Sequence, residues 1–160
     1  MKNNKGFTLV ELLAVIVILA VILLIAVPNV FGIIDKSRSD TLVSNAKMMA
    51  SAARLKVTTT PSYLPSANLK VKSILLTDLD LEKMDRDPDG GSYGANSYVY
   101  VAKDDAGVLH YYVTLQGSKR AINKIEGKVL SNAVVGNSDT AEAVVTVGTV
   151  SLDGVVYTVE

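Results

Sequence analysis

The sequence predicts an α+β protein in which one long N-terminal helix packs on an antiparallel β-sheet. Sixteen consecutive residues from Leu12 to Val27 lack any polar side chain. Leu42, Ala46, Met49 and Ala53 follow at helical spacing and form one apolar stripe. The second half of the chain contains β-rich stretches between turn signals. Because an amphipathic helix needs another element to cover its apolar stripe, we expect helix and sheet to pack together.

Composition limits the possible functions. The 160 residues contain 16 basic and 16 acidic side chains, so bulk charge gives no sign of nucleic-acid binding. The absence of cysteine excludes a disulfide framework, a thiolate nucleophile and a cysteine zinc site. The single histidine, His110, has no second histidine to pair with. We therefore expect a protein that is not an enzyme and needs no cofactor.

The first helix is predicted to run from about Phe7 to Lys56, with a kink near Pro28. Its apolar part, Phe7 to Val27, would be about 31 Å long at roughly 1.5 Å per residue. This length can cross a bilayer core of about 30 Å. Lys2 and Lys5 precede the span, which predicts a cytoplasmic N-terminus and an external C-terminal part.

Glu11 stands inside this apolar segment. A carboxylate in hydrocarbon is costly unless it is paired or protonated, and a simple anchor does not need one. If the chain were cut after Gly6, the new α-amine on Phe7 would lie four residues before Glu11. On a neighbouring copy, that amine could neutralise the carboxylate.

The run Lys5-Gly6-Phe7-Thr8-Leu9-Val10-Glu11-Leu12 closely resembles the processing motif of type IV pilins and pseudopilins. The resemblance implies that a prepilin peptidase cuts after Gly6 and that Phe7 becomes the methylated mature N-terminus. It also implies that Glu11 guides subunit docking, and that Pro28 is the helix-kinking proline. Family members whose helix unwinds in the fibre often have a glycine near the position of Ala20, so melting between Ala20 and Pro28 is left open.

The same resemblance implies three segments: a leader (1–6), a transmembrane and assembly helix (7–34) and a globular pilin domain (35–160). The expected function is a structural subunit of a type IV pilus for adhesion, surface motility or biofilm formation. The alternative is a pseudopilin of a type II secretion or competence (DNA-uptake) system, and a third reading is a minor tip subunit. Expected partners are further copies, the prepilin peptidase, minor pilins and an inner-membrane assembly platform. The chain would sit in the membrane before assembly and in an extracellular pilus afterwards.

In the globular part, the pattern predicts about four or five strands. Strands are expected at 98–103, 108–115, 143–152 and 155–159, with tight turns at Asp104–Gly107 and Asp153–Gly154. Clustered leucines between Lys72 and Met84 predict a short helix. The stretch 118–127 is ambiguous between helix and strand.

Asp85-Arg86-Asp87-Pro88-Asp89-Gly90 matches the first half of a calcium-binding loop. Asp85, Asp87 and Asp89 are therefore candidate calcium ligands. The match then fails, because Asn96 occupies the position where a bidentate glutamate belongs. The alternative is a turn whose aspartates cap backbone amides.

A cluster of tyrosines and a cluster of basic residues each allow a functional and a purely structural explanation. Five tyrosines near the first hairpin could stack on sugars or bases, but packing on a half-buried sheet is the commoner role. Four basic residues could contact an acidic surface, but a solvated face is the simpler explanation. The tyrosines are Tyr93, Tyr98, Tyr100, Tyr111 and Tyr112, and the basic residues are Lys119, Arg120, Lys124 and Lys128.

Overall fold

A computed structural model describes residues 6–81, 84–131 and 134–160. The chain divides into two compact units, Met1–Ser37 and Arg38–Glu160. One helix, α1 (Leu9–Thr59), contributes residues to both units. Helix and sheet together confirm the predicted α+β class.

The second unit contains a seven-stranded, mostly antiparallel sheet. Its strands are β1 (Lys70–Leu75), β2 (Tyr98–Lys103), β3 (Leu109–Gln116), β4 (Arg120–Glu126), β5 (Gly136–Asn137), β6 (Thr149–Leu152) and β7 (Val155–Val159). Their order is β5-β4-β3-β2-β1-β7-β6, and only the short β1–β7 pairing is parallel. Three short 3₁₀ segments also lie in the described part of this unit, at Pro61–Tyr63, Leu76–Asp78 and Ser138–Thr140.

The sheet has seven strands where about four or five were expected, and one predicted element differs in kind. Among the described residues of the leucine-rich stretch 72–84, which leave out 82 and 83, helix is limited to the 3₁₀ turn Leu76–Asp78, and the residues before it belong to strand β1. This strand pairs with β2 along its whole length. Cross-strand packing of Val71 and Ile74, which are both fully buried, overrides the helical propensity of the leucines.

The structure also decides one ambiguous stretch and shortens one predicted strand. The ambiguous stretch 118–127 contains strand β4. The predicted strand 143–152 shrinks to Thr149–Leu152.

The main core lies between α1 and one face of the sheet. The predicted stripe Leu42, Ala46, Met49 and Ala53 is fully buried there. It packs in one cluster with alternate strand residues such as Val99 and Val113. The approach is close at Gly127, where an added Cβ would lie 2.9 Å from the Ala50 side chain.

A second, smaller core covers the other face of the sheet. Tyr98, Tyr100 and Tyr112 are buried there against the β6–β7 hairpin, which contributes Leu152 and Tyr157. Tyr98 and Tyr100 meet edge to face with ring centroids 4.8 Å apart. The packing interpretation is therefore confirmed for these tyrosines.

The two remaining tyrosines of the cluster also pack within the domain. Tyr111 is buried on the helix side under the guanidinium of Arg54, which lies 5.2 Å from the ring centroid. Tyr93 accepts a hydrogen bond from the Asn45 side chain. These rings therefore serve the fold and do not form an open stacking platform.

Candidate assembly site

The N-terminus of α1 is closed by a reciprocal capping box. The Thr8 backbone N–H and hydroxyl both donate to Glu11 Oε2, at 2.8 and 2.9 Å. The Glu11 N–H donates back to Thr8 Oγ1 at 3.3 Å. A threonine three residues before a glutamate is the usual sequence for this cap, which satisfies backbone donors that helix geometry leaves unpaired.

This cap gives Glu11 a partner within its own chain, which the sequence interpretation missed. The T-x-x-E pattern at Thr8–Glu11 was a readable signal for it. The cap reduces the cost of placing the carboxylate beside an apolar segment, because its hydrogen bonds replace part of the lost hydration. Glu11 is also exposed, so the carboxylate remains open to a partner from outside the chain.

Along Leu9–Ile34, α1 exposes nearly every large apolar side chain. By length and composition this helix can cross a membrane, and its most apolar window contains no buried residue. Such a surface is unstable in water and needs lipid or other apolar helices around it.

Pro28 lies inside α1, and the helix continues on both sides of it. Proline has no N–H, so the helical hydrogen bond to the carbonyl four residues earlier is missing. The Asn29 side-chain amide donates to the neighbouring carbonyl of Ile25 at 3.2 Å. The predicted kink and the predicted melting towards Ala20 stay predictions.

The proposed leader falls largely outside the described residues, since residues 1–5 are not among them. Gly6 and Phe7 are described, and both are exposed. A Cβ added at Gly6 would meet no other atom within 4 Å. Cleavage after Gly6 and methylation of Phe7 stay predictions.

In the domain, the turn 85–91 is organised by Asp87. This buried carboxylate accepts backbone hydrogen bonds from Asp89 and Gly91 at 2.9 and 2.8 Å, and another from Ser118. Burial alone would raise the pKa of Asp87, but these hydrogen bonds outweigh it and hold the pKa below its usual value. Asp87 therefore ties this turn to the β3–β4 connection.

Asp89 joins the same turn to two arginines. Arg120 donates from Nε and Nη2 to the two carboxylate oxygens at 2.7 and 2.9 Å, and Arg38 Nη1 lies 3.3 Å away. The Arg120 guanidinium also donates to Ser39 Oγ at 2.8 Å. The hydrogen bonds from Arg120 lower the pKa of Asp89 most strongly, burial opposes them, and the charges of Arg120 and Arg38 lower it further. The pKa of Asp89 therefore lies below its usual value. The network ties the Arg38–Ser39 turn of α1 to β4.

These contacts bear on the calcium hypothesis. The carboxylates of Asp87 and Asp89 are occupied by protein donors, and Asp85 is exposed. No group of three or more potential acidic or histidine ligands suited to a metal occurs among the described residues. The arrangement matches the alternative of aspartates that cap a turn, and calcium binding at Asp85, Asp87 and Asp89 stays an untested prediction.

The basic residues near β4 do not form one open surface. Arg120 is nearly buried on Asp89, and Lys124 pairs with Glu142. Lys128 lies 3.2 Å from Glu126. The solvated-face interpretation is wrong for Arg120, because its charge is neutralised by a buried carboxylate that sequence spacing alone does not reveal.

His110 lies between two carboxylates on the outer side of the sheet. Its Nδ1 is 2.9 Å from Glu126 Oε1, and its Nε2 is 3.1 Å from Asp104 Oδ2. The hydrogen bond to Glu126 raises the pKa of His110, burial opposes the rise, and Asp104 adds to it. Because the two carboxylates bind opposite ring nitrogens, the trio ties together the β2–β3 turn and β4.

Comparison with protein families finds the prokaryotic N-terminal methylation motif at residues 1–27. The chain carries the type IV prepilin signature. The long N-terminal helix and the mostly antiparallel sheet are consistent with the pilin fold. No curated protein and no solved structure matches the chain. The motif thus identifies the N-terminal segment, and together with the apolar helix it supports a type IV pilin-like or pseudopilin-like protein.

Proposed function

We propose that this chain is a structural subunit of a type IV pilus. A prepilin peptidase cuts it after Gly6, and the processed chains polymerise through their N-terminal helices. The proposal rests above all on Glu11, a carboxylate within an otherwise apolar and exposed helical segment. The fibre would serve adhesion, surface motility or biofilm formation.

In this proposal, the apolar helix has two successive environments. Lipid covers it while the precursor waits in the membrane, and neighbouring helices cover it in the fibre. The same exposed side chains suit both environments, because the driving force is removal of apolar surface from water. An inner-membrane assembly platform and minor pilins would take part in the transfer.

Cleavage would change the charge beside Glu11. It creates an amine on Phe7, next to the Thr8 N–H that already binds the carboxylate. In the fibre, the amine of one copy pairs with Glu11 of another. Removing one member of such a buried pair leaves an uncompensated charge at a cost of about 3–5 kcal/mol.

The capping box supplies a sharp test, because glutamine also fits this motif at the position of Glu11. Glu11→Gln keeps an oxygen for the Thr8 donors but removes the charge. If Glu11 only capped the helix, this variant would assemble normally. We expect Glu11→Gln to be processed at the wild-type rate and to yield few fibres.

The measurement is fibre yield relative to processed protein in the membrane, determined by immunoblotting of sheared and cell-bound fractions. Thr8→Val is the matched control, since it removes the hydroxyl of the cap and leaves the carboxylate. We expect Thr8→Val to retain fibres. Normal fibres from Glu11→Gln would overturn the docking role.

Labelling of surface fibres with antibody in the electron microscope tests the assignment to a pilus. Continuous labelling is the expected result, and labelling at the tips alone would indicate a minor subunit. Processed protein without surface fibres, together with impaired secretion or DNA uptake on deletion, would favour a pseudopilin.

A further inference from the structure

The globular unit exposes an apolar groove on the helix face that points away from the sheet. Met48 and Leu55 are 41% and 66% exposed, while Met49 and Ala53 on the opposite side of the helix are buried. Together with Ala52 and Leu81, Met48 and Leu55 line a shallow depression. We name these four residues the helix-face groove.

A second apolar surface lies at the tip of the β6–β7 hairpin. Val155 and Val156 follow the tight turn Asp153–Gly154, whose two residues have φ values of +48° and +81°. Val156 is 60% exposed and lies opposite Ser151 in the strand register. We name Val155 and Val156 the hairpin tip; they are the first two residues of β7, and their side chains lie on opposite faces of the hairpin beside its turn.

Among the described residues, one charged side chain lies at each surface, and the two charges have opposite signs. Lys47 lines the helix-face groove and is exposed, and Asp153 is exposed beside the hairpin tip. Neither forms a side-chain ion pair with another described residue. The two surfaces thus complement each other in charge, and the turn end of a hairpin would meet a shallow depression.

A fibre built from one kind of chain needs two different surfaces on each copy that complement each other. Head-to-tail assembly joins two different surfaces of the same molecule, whereas a two-fold dimer joins one surface to itself. We propose that the hairpin tip of one copy docks into the helix-face groove of the next copy. Lys47 then faces Asp153 of the adjoining copy. This inference rests on the proposed fibre function and adds a contact between globular units.

Because the chain has no cysteine, engineered cysteines can test this contact directly. In the double variant Met48→Cys/Val156→Cys, every copy carries a thiol on both surfaces. Oxidation or a short bifunctional maleimide should then convert isolated fibres into a ladder of covalent multimers. Each single variant should stay monomeric, because its thiol faces no other thiol.

The matched control is Met48→Cys/Val129→Cys. Val129 is also 60% exposed, but it follows β4 in a different turn. We expect no ladder from this pair in fibres of the same density. Equal ladders from both pairs would show that crowding alone explains the cross-links, and would overturn the inference.

A charge exchange provides a second, independent test. Lys47→Glu and Asp153→Lys should each lower fibre yield a few-fold by creating repulsion, and the double exchange should restore it. Tyrosine near-UV circular dichroism of each full-length variant in detergent checks that the domain remains folded.

The outcomes separate the two proposals. Wild-type fibres combined with a Met48/Val156 ladder and rescue by exchange support the contact. Wild-type fibres without a ladder or without rescue overturn the contact and leave the fibre function intact. Correctly processed wild-type protein that never forms fibres overturns both.

Discussion

Replacing Asp89 by asparagine should destabilise the globular unit more than the same change at the exposed Asp85 of this turn. The Asp89 side chain is fully buried, and it makes two short bonds to Arg120, whose side chain is only 12% exposed. The substituted amide would keep the shape of the side chain but remove the carboxylate charge that faces the Arg120 guanidinium. Arg38 would lose its nearby carboxylate as well, although it is more exposed.

The expected cost follows from the burial of this pair. Removing one partner of a buried ion pair costs about 3–5 kcal/mol, and the partial exposure of Arg38 places this case at about 3 kcal/mol. The globular unit has 123 residues, counted from Arg38 to Glu160. For that size, about 3 kcal/mol corresponds to a fall in melting temperature of roughly 10 °C.

Urea unfolding of the full chain in detergent, followed by tyrosine fluorescence, measures the change. The matched control is Asp85→Asn, which alters an exposed carboxylate four residues earlier. We expect this control to stay within about 0.5 kcal/mol of wild type. If Asp89→Asn is no more destabilising than Asp85→Asn, the network does not stabilise the domain as argued.

Three further predictions concern the same unit. His110→Gln should lose more stability below about pH 6 than above about pH 8. The pKa of His110 is raised in the folded state, so its charged bonds to Asp104 and Glu126 stabilise the fold at low pH. This contribution disappears as the pH rises through the folded pKa. A pH-independent difference in melting temperature would contradict this. Met49→Ala should cost about 2–5 kcal/mol in urea unfolding, since it opens a cavity at a fully buried position; a loss below about 1 kcal/mol would show that the core can collapse around it. Millimolar calcium should leave the melting temperature unchanged, because the buried carboxylates of turn 85–91 already bind protein donors; a clear rise would restore the calcium site.

The helix and the two hairpins could be predicted because their signals are local. The stripe from Leu42 to Ala53 has a helical period, and Asp153–Gly154 has the composition of a tight turn. The strand at 98–103 was also predicted correctly, and its side chains alternate between the two cores, as they do along any strand. These features depend on neighbours within a few residues.

The missed features depend on distant partners. Strand β1 forms because Lys70–Leu75 pairs with β2 more than twenty residues later, and leucine content alone indicated helix. Arg120 appeared to belong to a basic surface because nothing in its spacing shows Asp89, 31 residues earlier. In the N-terminal site, Glu11 was recognised from its apolar surroundings, whereas its local partner Thr8 was readable and overlooked.

The central claim is that residues 1–6 are removed so that the apolar helix can assemble from a new N-terminus at Phe7. Mass spectrometry of the N-terminal peptide, from protein purified from the cell envelope and from sheared fibres, tests this directly. The account predicts a chain that begins at Phe7 and carries one added methyl group on its α-amine. A chain that still begins at Met1, or one cut after the apolar segment, would contradict it.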